Sequence, residues 1–294
     1  MSDSYVETTS AMGTVVTVQV VGHDDERRDA VKRALGWFGE IESRCSRFDS
    51  NSELSRLSAQ PGIAVPVSPL LFQAVRFALA VAQETGGAFD PTVGHRMEAR
   101  GFNTNFRTAE VVSSVGAGAG VGHYHDVHLD DDAQTITLAQ PMMLDLGAVA
   151  KGLAVDLASR ELQPFEDFAI DAGGDLYLGG CNVAGEPWKV GIRHPRCDGE
   201  LIHALRISNA AVCTSGDYER PHHILDARAA DAEATSASVT VIAPSAMVAD
   251  ALATAAFVLG PNEGLTLLER HGANGLIITP ALKEFCTAGM MQLG

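Results

Sequence analysis

Ser238–Gly260 reads SVTVIAPSAMVADALATAAFVLG, a β-branched run joined directly to a long alanine-rich run. The β-branched residues predict a strand, because Val, Ile and Thr favour extended backbone. Ser245 has the side chain of a helix N-cap, and Gly260 can end the helix that follows. The stretch therefore predicts a strand that leads straight into a helix.

The rest of the chain mixes strands and helices without regular alternation. β-Branched runs such as Gly13–Gly22 predict strands, whereas apolar residues at helical spacing predict helices, among them one capped by Ser68 and one ending near Leu162. Residues 88–102 show no regular pattern, and the last predicted strand is ANGLIIT, residues 273–279. This order favours an α+β fold with mainly antiparallel sheets and packed helices.

A chain of 294 residues is long enough for one large domain or two ordinary ones. The clearest candidate boundary is SSVGAGAGVG, residues 113–122, where glycines alternate. That spacing lacks the G-x-G-x-x-G pattern of a dinucleotide-binding turn, and a hairpin pattern follows it instead of a helix. We therefore expect a single domain over residues 1–294, with any internal subdivision near 113–122.

Composition and charge limit the partners. The formal net charge is −16, so phosphate backbones and anionic lipid are repelled, and we expect no nucleic-acid partner. The five cysteines form no C-x-x-C pair, which argues against a zinc site or a disulfide framework. The first residues lack the basic and apolar regions of a signal peptide, and the apolar stretches fall short of the roughly 18 residues of a spanning helix. We expect a cytoplasmic protein without membrane insertion.

The alanine-rich run carries a carboxylate and a hydroxyl four residues apart, Asp250 and Thr254. On a helix these side chains lie on one face. Taken alone, such a pair is more often a solvated stripe, since an acid near a helix start interacts well with the helix dipole. However, the surrounding alanines indicate close packing, where an unpaired carboxylate is costly. Carboxylate and hydroxyl oxygens also suit a hard cation such as Mg²⁺, so both interpretations stay open.

Two more segments place chemistry-bearing residues at turns. In LDLGAVAKG, Leu144–Gly152, Asp145 precedes a glycine turn into a helix, Lys151 lies in the first helical turn, and carbonyls such as that of Ala148 are left free. An ordinary strand-to-helix connection explains this segment equally well. In TSGDYERPHHILDA, Thr214–Ala227, a histidine of near-neutral pKa can serve as a general base, although lone histidines are more often structural.

Other polar residues have two readings as well. His123, His125 and His128 alternate beside the glycine-rich residues, which suggests metal binding, but a solvent-exposed stripe is the better interpretation. Residues 86–102 combine glycines with Asp90 and a following proline, as in a ligand-binding loop or any structured loop.

Four ordered segments resemble the signature blocks of the ApbE family, whose members are FAD:protein FMN transferases, some of them acting as FAD pyrophosphatases. The segments are GAFDPTVG, DLGAVAKGLAVD, TSGDY followed by HHILDA, and SVTVIAPSAMVADALATAAFVLG. The resemblance runs from about Met12 to the C-terminal strand. It implies a T-fold-like α+β architecture and a Mg²⁺ ion, or Mn²⁺ in its place, on the pyrophosphate of FAD.

The resemblance also implies roles for individual residues. The family's metal ligands correspond to Asp250, Thr254 and the backbone of Ala148. Its histidine corresponds to His223, which we assign as the base that deprotonates the acceptor hydroxyl, with Asp217 as a weaker candidate. Its flavin-contacting positions correspond to Met12, Phe48, Ala88, Phe89, Asp90, Asp145, Lys151 and Ile224.

These correspondences imply a reaction, the Mg²⁺-dependent transfer of FMN from FAD to a Thr or Ser hydroxyl of an acceptor protein, with release of AMP. Family members with transferase activity usually carry Tyr where this chain has Phe48. Mg²⁺-dependent hydrolysis of FAD to FMN and AMP is therefore an alternative. A non-catalytic FAD-binding protein is a third reading, and the Asp250 and Thr254 pair argues against it.

Overall fold

An eight-stranded antiparallel sheet runs through the structure, a computed structural model that describes residues 3–104, 111, 122–218, 224–229 and 234–292. The strands are β1 (Ser4–Ala11), β2 (Thr14–Val21), β3 (Ala64–Pro66), β4 (Val127–Asp130), β5 (Thr135–Leu138), β6 (Phe168–Ala172), β7 (Asp175–Gly179), β8 (Trp188–Arg193), β9 (Leu201–Ile207), β10 (Ala210–Gly216), β11 (Ser238–Ala243), β12 (Asn274–Ile278) and β13 (Glu284–Cys286). The large sheet has the order β1-β2-β6-β7-β10-β11-β12-β13. A smaller sheet has the order β3-β5-β4, and β8 and β9 form a hairpin.

Three helices pack side by side on one face of the large sheet, with α5 between α1 and α6. The helices are α1 (Asp25–Cys45), α2 (Glu53–Ser58), α3 (Pro69–Glu84), α4 (Gly94–Ala99), α5 (Gly147–Leu162) and α6 (Ala246–Arg270). The β8–β9 hairpin packs on the other face and closes a second, smaller core. Antiparallel sheets with packed helices confirm the predicted α+β class.

Strand β11 is covered on both faces, and all six of its residues are buried. Val239 and Val241 face the helices, whereas Ile242 packs with Leu205 and Ile207 of the hairpin. Burial on both faces explains why this strand reads as a continuous apolar run instead of an alternating one.

Helix α6 follows β11 and starts and breaks where the sequence predicts. The Oγ of Ser245 accepts the N–H of Val248 at 3.4 Å. Gly260 has φ 77° and ψ −178°, so the helix breaks there before it continues to Arg270. Of the described helices, α6 alone is long and apolar enough to cross a membrane by length and composition, but 56% of its most apolar window is buried inside the protein. It packs here as a core helix.

Two predicted elements differ in the structure. Residues 88–102 are not irregular, because they contain a 3₁₀ turn at Pro91–Val93 and helix α4. Both are too short to give a periodic apolar pattern. ANGLIIT is not the last strand, since β13 pairs with β12. The predicted subdivision near 113–122 lies, except for Gly122, outside the described residues.

Candidate active site

Helices α5 and α6 cross closely because no side chain separates them at Gly152. A Cβ at Gly152 would lie 2.5 Å from the carbonyl oxygen of Ala246 and 2.6 Å from the Cα of Met247. The two helices run antiparallel, since Asp156 contacts the start of α6 while Gly152 contacts Asp250 one turn further on. This contact, which we call the α5–α6 seam, brings together parts of the chain 98 residues apart.

Asp250 lies in the seam and is nearly enclosed, with 5% of its surface exposed. Its Oδ2 accepts the N–H of Gly152 at 3.3 Å and lies 4.0 Å from the Nζ of Lys151. Burial raises the pKa of the Asp250 carboxyl, and the Lys151 ammonium and the Gly152 N–H oppose that rise only in part. Burial therefore makes the ionised carboxylate unfavourable by itself, and a bound cation would stabilise it.

The other two predicted metal ligands lie beside Asp250. In an α-helix the N–H of Gly152 is directed at the carbonyl of Ala148, so that carbonyl and the Asp250 carboxylate converge on one N–H group. Thr254 lies one turn after Asp250, and its Oγ1 is 3.0 Å from the Oγ of Ser215 at the end of β10. The spacing predicted for Asp250 and Thr254 thus places both at the meeting point of α5, α6 and β10.

This donor set fits Mg²⁺ better than a softer metal. Within the described ranges, no group of three or more His, Cys, Asp or Glu side chains is arranged to hold a metal ion. One carboxylate, one hydroxyl and one backbone carbonyl would leave several positions on a cation for water or substrate phosphate, which is how Mg²⁺ is usually bound. The residues present therefore fit the group that the resemblance implies.

Lys151 adds a positive charge between two acidic residues. Its ammonium forms an ion pair with Asp175, the first residue of β7, whose surface is only 1% exposed. Asp175 follows the turn at Gly173 and Gly174, which have φ of 65° and 95°. The pair keeps the Lys151 side chain directed towards the seam.

A stability measurement checks the Asp250 environment. Because the folded-state pKa of Asp250 lies above the ordinary 3.8, its contribution to stability is complete below that pH and is lost as pH rises through the raised pKa. In EDTA, the unfolding midpoint of the wild type should therefore fall relative to that of Asp250→Asn as the pH rises from about 4 through the raised pKa. A difference that stays constant over this range would contradict the assignment.

On the flavin side predicted by the resemblance, Asp145 is held in a partly buried ion pair with Arg47. The Nε of Arg47 donates to its Oδ2 at 2.7 Å, and the N–H of Gly147 donates to its Oδ1 at 2.9 Å. Arg47 also donates to the carbonyl of Phe102 at 2.7 Å, and its guanidinium lies 4.0 Å from the centre of the Phe48 ring. Arg47 therefore connects two predicted flavin contacts, Phe48 and Asp145.

The GAFDPTVG segment is joined to two other predicted blocks. The N–H of Ala227 donates to the carbonyl of Ala88 at 3.2 Å, and the N–H of Asp145 donates to the carbonyl of Pro91 at 2.7 Å. The carboxylate of Asp90 accepts the N–H and hydroxyl of Thr92 at 2.9 and 2.8 Å. Phe89 is buried in the main core.

Two clefts lie outside the seam, and neither is lined by Asp250. One of about 350 Å³ borders the predicted flavin contact Asp90 and is lined by Gly86, Gly87, Asp90, His123, Tyr124, His125, Ala227 and Arg228. The other, of about 300 Å³, lies between the end of α3 and the second half of α6, and none of the residues that line it is a predicted site residue. We give weight to the first, because it borders a segment that the resemblance assigns to flavin.

The remaining predicted site residues, Met12, Ile224, Asp217 and His223, do not share one environment. Met12 has φ 52° in the β1–β2 turn, and its N–H donates to the Oε1 of Glu42 at 3.2 Å. Ile224 packs against the main core. Asp217 forms a bidentate ion pair with Arg196, at 2.7 and 2.9 Å, so this carboxylate is already engaged. His223 lies outside the described residues.

Sequence reasoning missed several residues that shape the site. These residues are Arg47, Gly152, Asp156, Asp175 and Arg196. Each contacts a partner far away in the chain, so no local sequence pattern marks it. The histidines His123, His125 and His128 are exposed, as the preferred interpretation expected.

Comparison with known proteins agrees with the family resemblance and with the α+β fold. The sequence pattern of the ApbE family matches residues 12–277. The FAD:protein FMN transferase of Treponema pallidum is 31% identical over 96% of this chain and 86% of that protein, and the one of Haemophilus influenzae is 28% identical over 84% and 78%. The solved structure of the ApbE protein of Thermotoga maritima has a TM-score of 0.88 at 30% identity, over 99% of both chains.

Proposed function

The chain belongs to the ApbE family, and from that membership and its site geometry we propose that it is an FAD:protein FMN transferase. The relatives carry that name, which supports FAD as the substrate and a protein as the acceptor. The finer proposal is that transfer depends on Mg²⁺, uses a Thr or Ser hydroxyl of the acceptor, and releases AMP.

One observation supports the Mg²⁺ part, the approach of the Asp250 carboxylate to the backbone of α5 in the α5–α6 seam. Asp250 and the carbonyl of Ala148 approach one N–H group, and Thr254 follows Asp250 by one turn. A bound Mg²⁺ would neutralise phosphate charge that a protein of net charge −16 otherwise repels.

The start of α5 offers a second contact for the pyrophosphate. The positive end of the α5 helix dipole lies there, where Leu146, the N-cap residue, makes no side-chain cap hydrogen bond and the N–H of Gly147 donates to the Asp145 carboxylate at 2.9 Å. Lys151 lies one turn further on, 4.0 Å from Asp250. Together these groups would hold the phosphates beside the seam.

The proposed reaction is a substitution at the phosphorus on the FMN side of FAD. The acceptor oxygen forms a bond to that phosphorus, the bond between phosphorus and the AMP phosphate oxygen breaks, and AMP leaves. His223 takes the proton of the acceptor hydroxyl in this proposal. Asp217 is the less favoured base, because Arg196 already holds its carboxylate.

FAD hydrolysis is the second candidate, with water in place of the acceptor hydroxyl. Phe48 favours it, because the ring lies under Arg47 without the phenol oxygen that transferases in the family usually carry there. The two reactions share every other group of the site.

A product balance separates the candidates. The protein is incubated with FAD, Mg²⁺ and a protein extract of its source organism, and covalent flavin is measured by gel fluorescence while free FMN and AMP are measured by chromatography. We expect protein-bound flavin, with AMP equal to the sum of bound and free FMN, and no product in EDTA or with Asp250→Asn. Equal FMN and AMP without bound flavin would support hydrolysis, and no AMP would support a binding protein. Mass spectrometry of the labelled peptide tests the Thr or Ser assignment.

A further inference from the structure

Asp156 closes the free end of the helix that carries Asp250 and Thr254. Its Oδ1 accepts the N–H of Ala246 at 2.7 Å, and its Oδ2 accepts the N–H of Met247 at 3.1 Å and the hydroxyl of Ser245 at 2.6 Å. A helix start has N–H groups without partners inside the helix, and Asp156 satisfies the first two of them from another helix.

The position of Asp156 relates this contact to the cation donors. Ala148, Gly152 and Asp156 recur every four residues along α5, and Ala246, Asp250 and Thr254 recur every four along α6. Residues at this spacing share one helix face. The rows run in opposite directions, so Asp156 meets the start of α6, Gly152 meets Ala246 and Asp250, and Ala148 lies at the Asp250 end.

We propose that Asp156 is a positioning residue that fixes the axial register of α6 against α5 and thereby sets the spacing between the Ala148 carbonyl and the Asp250 and Thr254 side chains. This inference rests on the proposed cation site. Gly152 lets the helices approach but has no side chain that could prevent them from sliding. The Asp156 carboxylate can prevent sliding, because it accepts three directional hydrogen bonds from one end of α6. Asp156 itself does not contact the donors.

Cation affinity is the measurement that distinguishes the two possible roles of Asp156. A residue that sets the register of α6 affects cation binding, whereas a residue that only caps the helix affects stability alone. The full chain is titrated with Mn²⁺ without FAD, and free Mn²⁺ is counted by its electron paramagnetic resonance signal. Removal of a residue that orients a ligand typically weakens metal binding by about 10- to 100-fold, so we expect at least about a tenfold higher Kd for Asp156→Asn. The melting temperature and the separate kcat and KM for FAD are measured on the same samples.

Ser68→Ala is the matched control, because Ser68 caps α3 by accepting the N–H of Leu71 at 3.3 Å, away from the seam. It should lower the melting temperature and leave the Mn²⁺ Kd unchanged. If Asp156→Asn also lowers only the melting temperature, Asp156 is a cap and the inference falls.

Asp156→Glu provides a second test in case the asparagine variant folds poorly. A glutamate keeps the carboxylate for the N–H groups of α6 but places it one methylene further out, so the melting temperature should stay near that of the wild type while Mn²⁺ binding weakens. Wild-type affinity in this variant would overturn the register role. If the wild type shows no Mn²⁺ binding that Asp250→Asn removes, the proposed cation site falls as well, and the inference with it.

Discussion

Replacing Asp250 with asparagine is expected to lower kcat/KM for FAD by about 10³-fold while the protein stays folded. Asparagine has nearly the same shape and can still accept the N–H of Gly152, so the packing of the α5–α6 seam is retained. What is lost is the only carboxylate among the three predicted ligands. Charge stabilisation by a bound metal contributes several kcal/mol, and about 4 kcal/mol corresponds to 10³-fold in rate.

The same substitution should not weaken the cation-free protein. Burial makes the ionised form of Asp250 unfavourable, as its raised pKa indicates, so the neutral amide removes a cost at neutral pH. Steady-state release of AMP checks the expected loss of activity, and the thermal midpoint in EDTA checks the expected stability of the cation-free protein. Asp29→Asn on the exposed face of α1, where Asp29 pairs with Lys32 in an exposed contact at 3.3 Å, is the control and should change neither. Full activity of Asp250→Asn would remove the metal assignment.

Replacing Gly152 with alanine is expected to destabilise the protein although alanine favours helix. The helix preference alone would add about 1 kcal/mol to the free energy of unfolding. The new Cβ, however, would lie 2.5 Å from a backbone oxygen and 2.6 Å from a backbone carbon of α6, and backbone atoms cannot rotate away as a side chain can. Overpacking of this kind costs about 1–3 kcal/mol, so we expect a net loss, together with weaker Mn²⁺ binding as Asp250 moves from α5.

Gly39→Ala in α1 is the matched control for this change. A Cβ at Gly39 meets nothing within 4 Å, so the substitution should raise the free energy of unfolding by about 1 kcal/mol. Urea unfolding of both variants gives the comparison. If Gly152→Ala gained stability as Gly39→Ala does, the two helices would not be in the close contact described.

Local signals were enough to predict most of the long elements but not their assembly. Ser68 and Ser245 cap their helices as expected, Gly260 breaks α6, and the apolar run of β11 is a fully buried strand. These features depend on a few neighbouring residues, whose chemistry is visible in the sequence. The short helix α4 was missed because six residues give no periodic pattern.

The contacts that hold the candidate site together could not be predicted from local sequence. The resemblance indicated Asp145 and Asp250 by motif, but nothing near them in the chain points to the partners that fix them. Arg47 reaches Asp145 across 98 residues, and Asp156 reaches Ala246 across 90. Such pairs follow from the packing of distant elements, which a single sequence does not specify.

The place of β11 in the large sheet has a consequence for synthesis of the chain. It is the sixth strand of eight in the sheet, yet it is the eleventh of thirteen along the chain. Until it leaves the ribosome, β10 is an unprotected edge with open backbone groups that can pair with other chains. A nascent protein stalled before Ser238 therefore has an unpaired sheet edge and lacks Asp250 and Thr254, so both its solubility and the proposed cation site depend on synthesis of the segment that starts at Ser238.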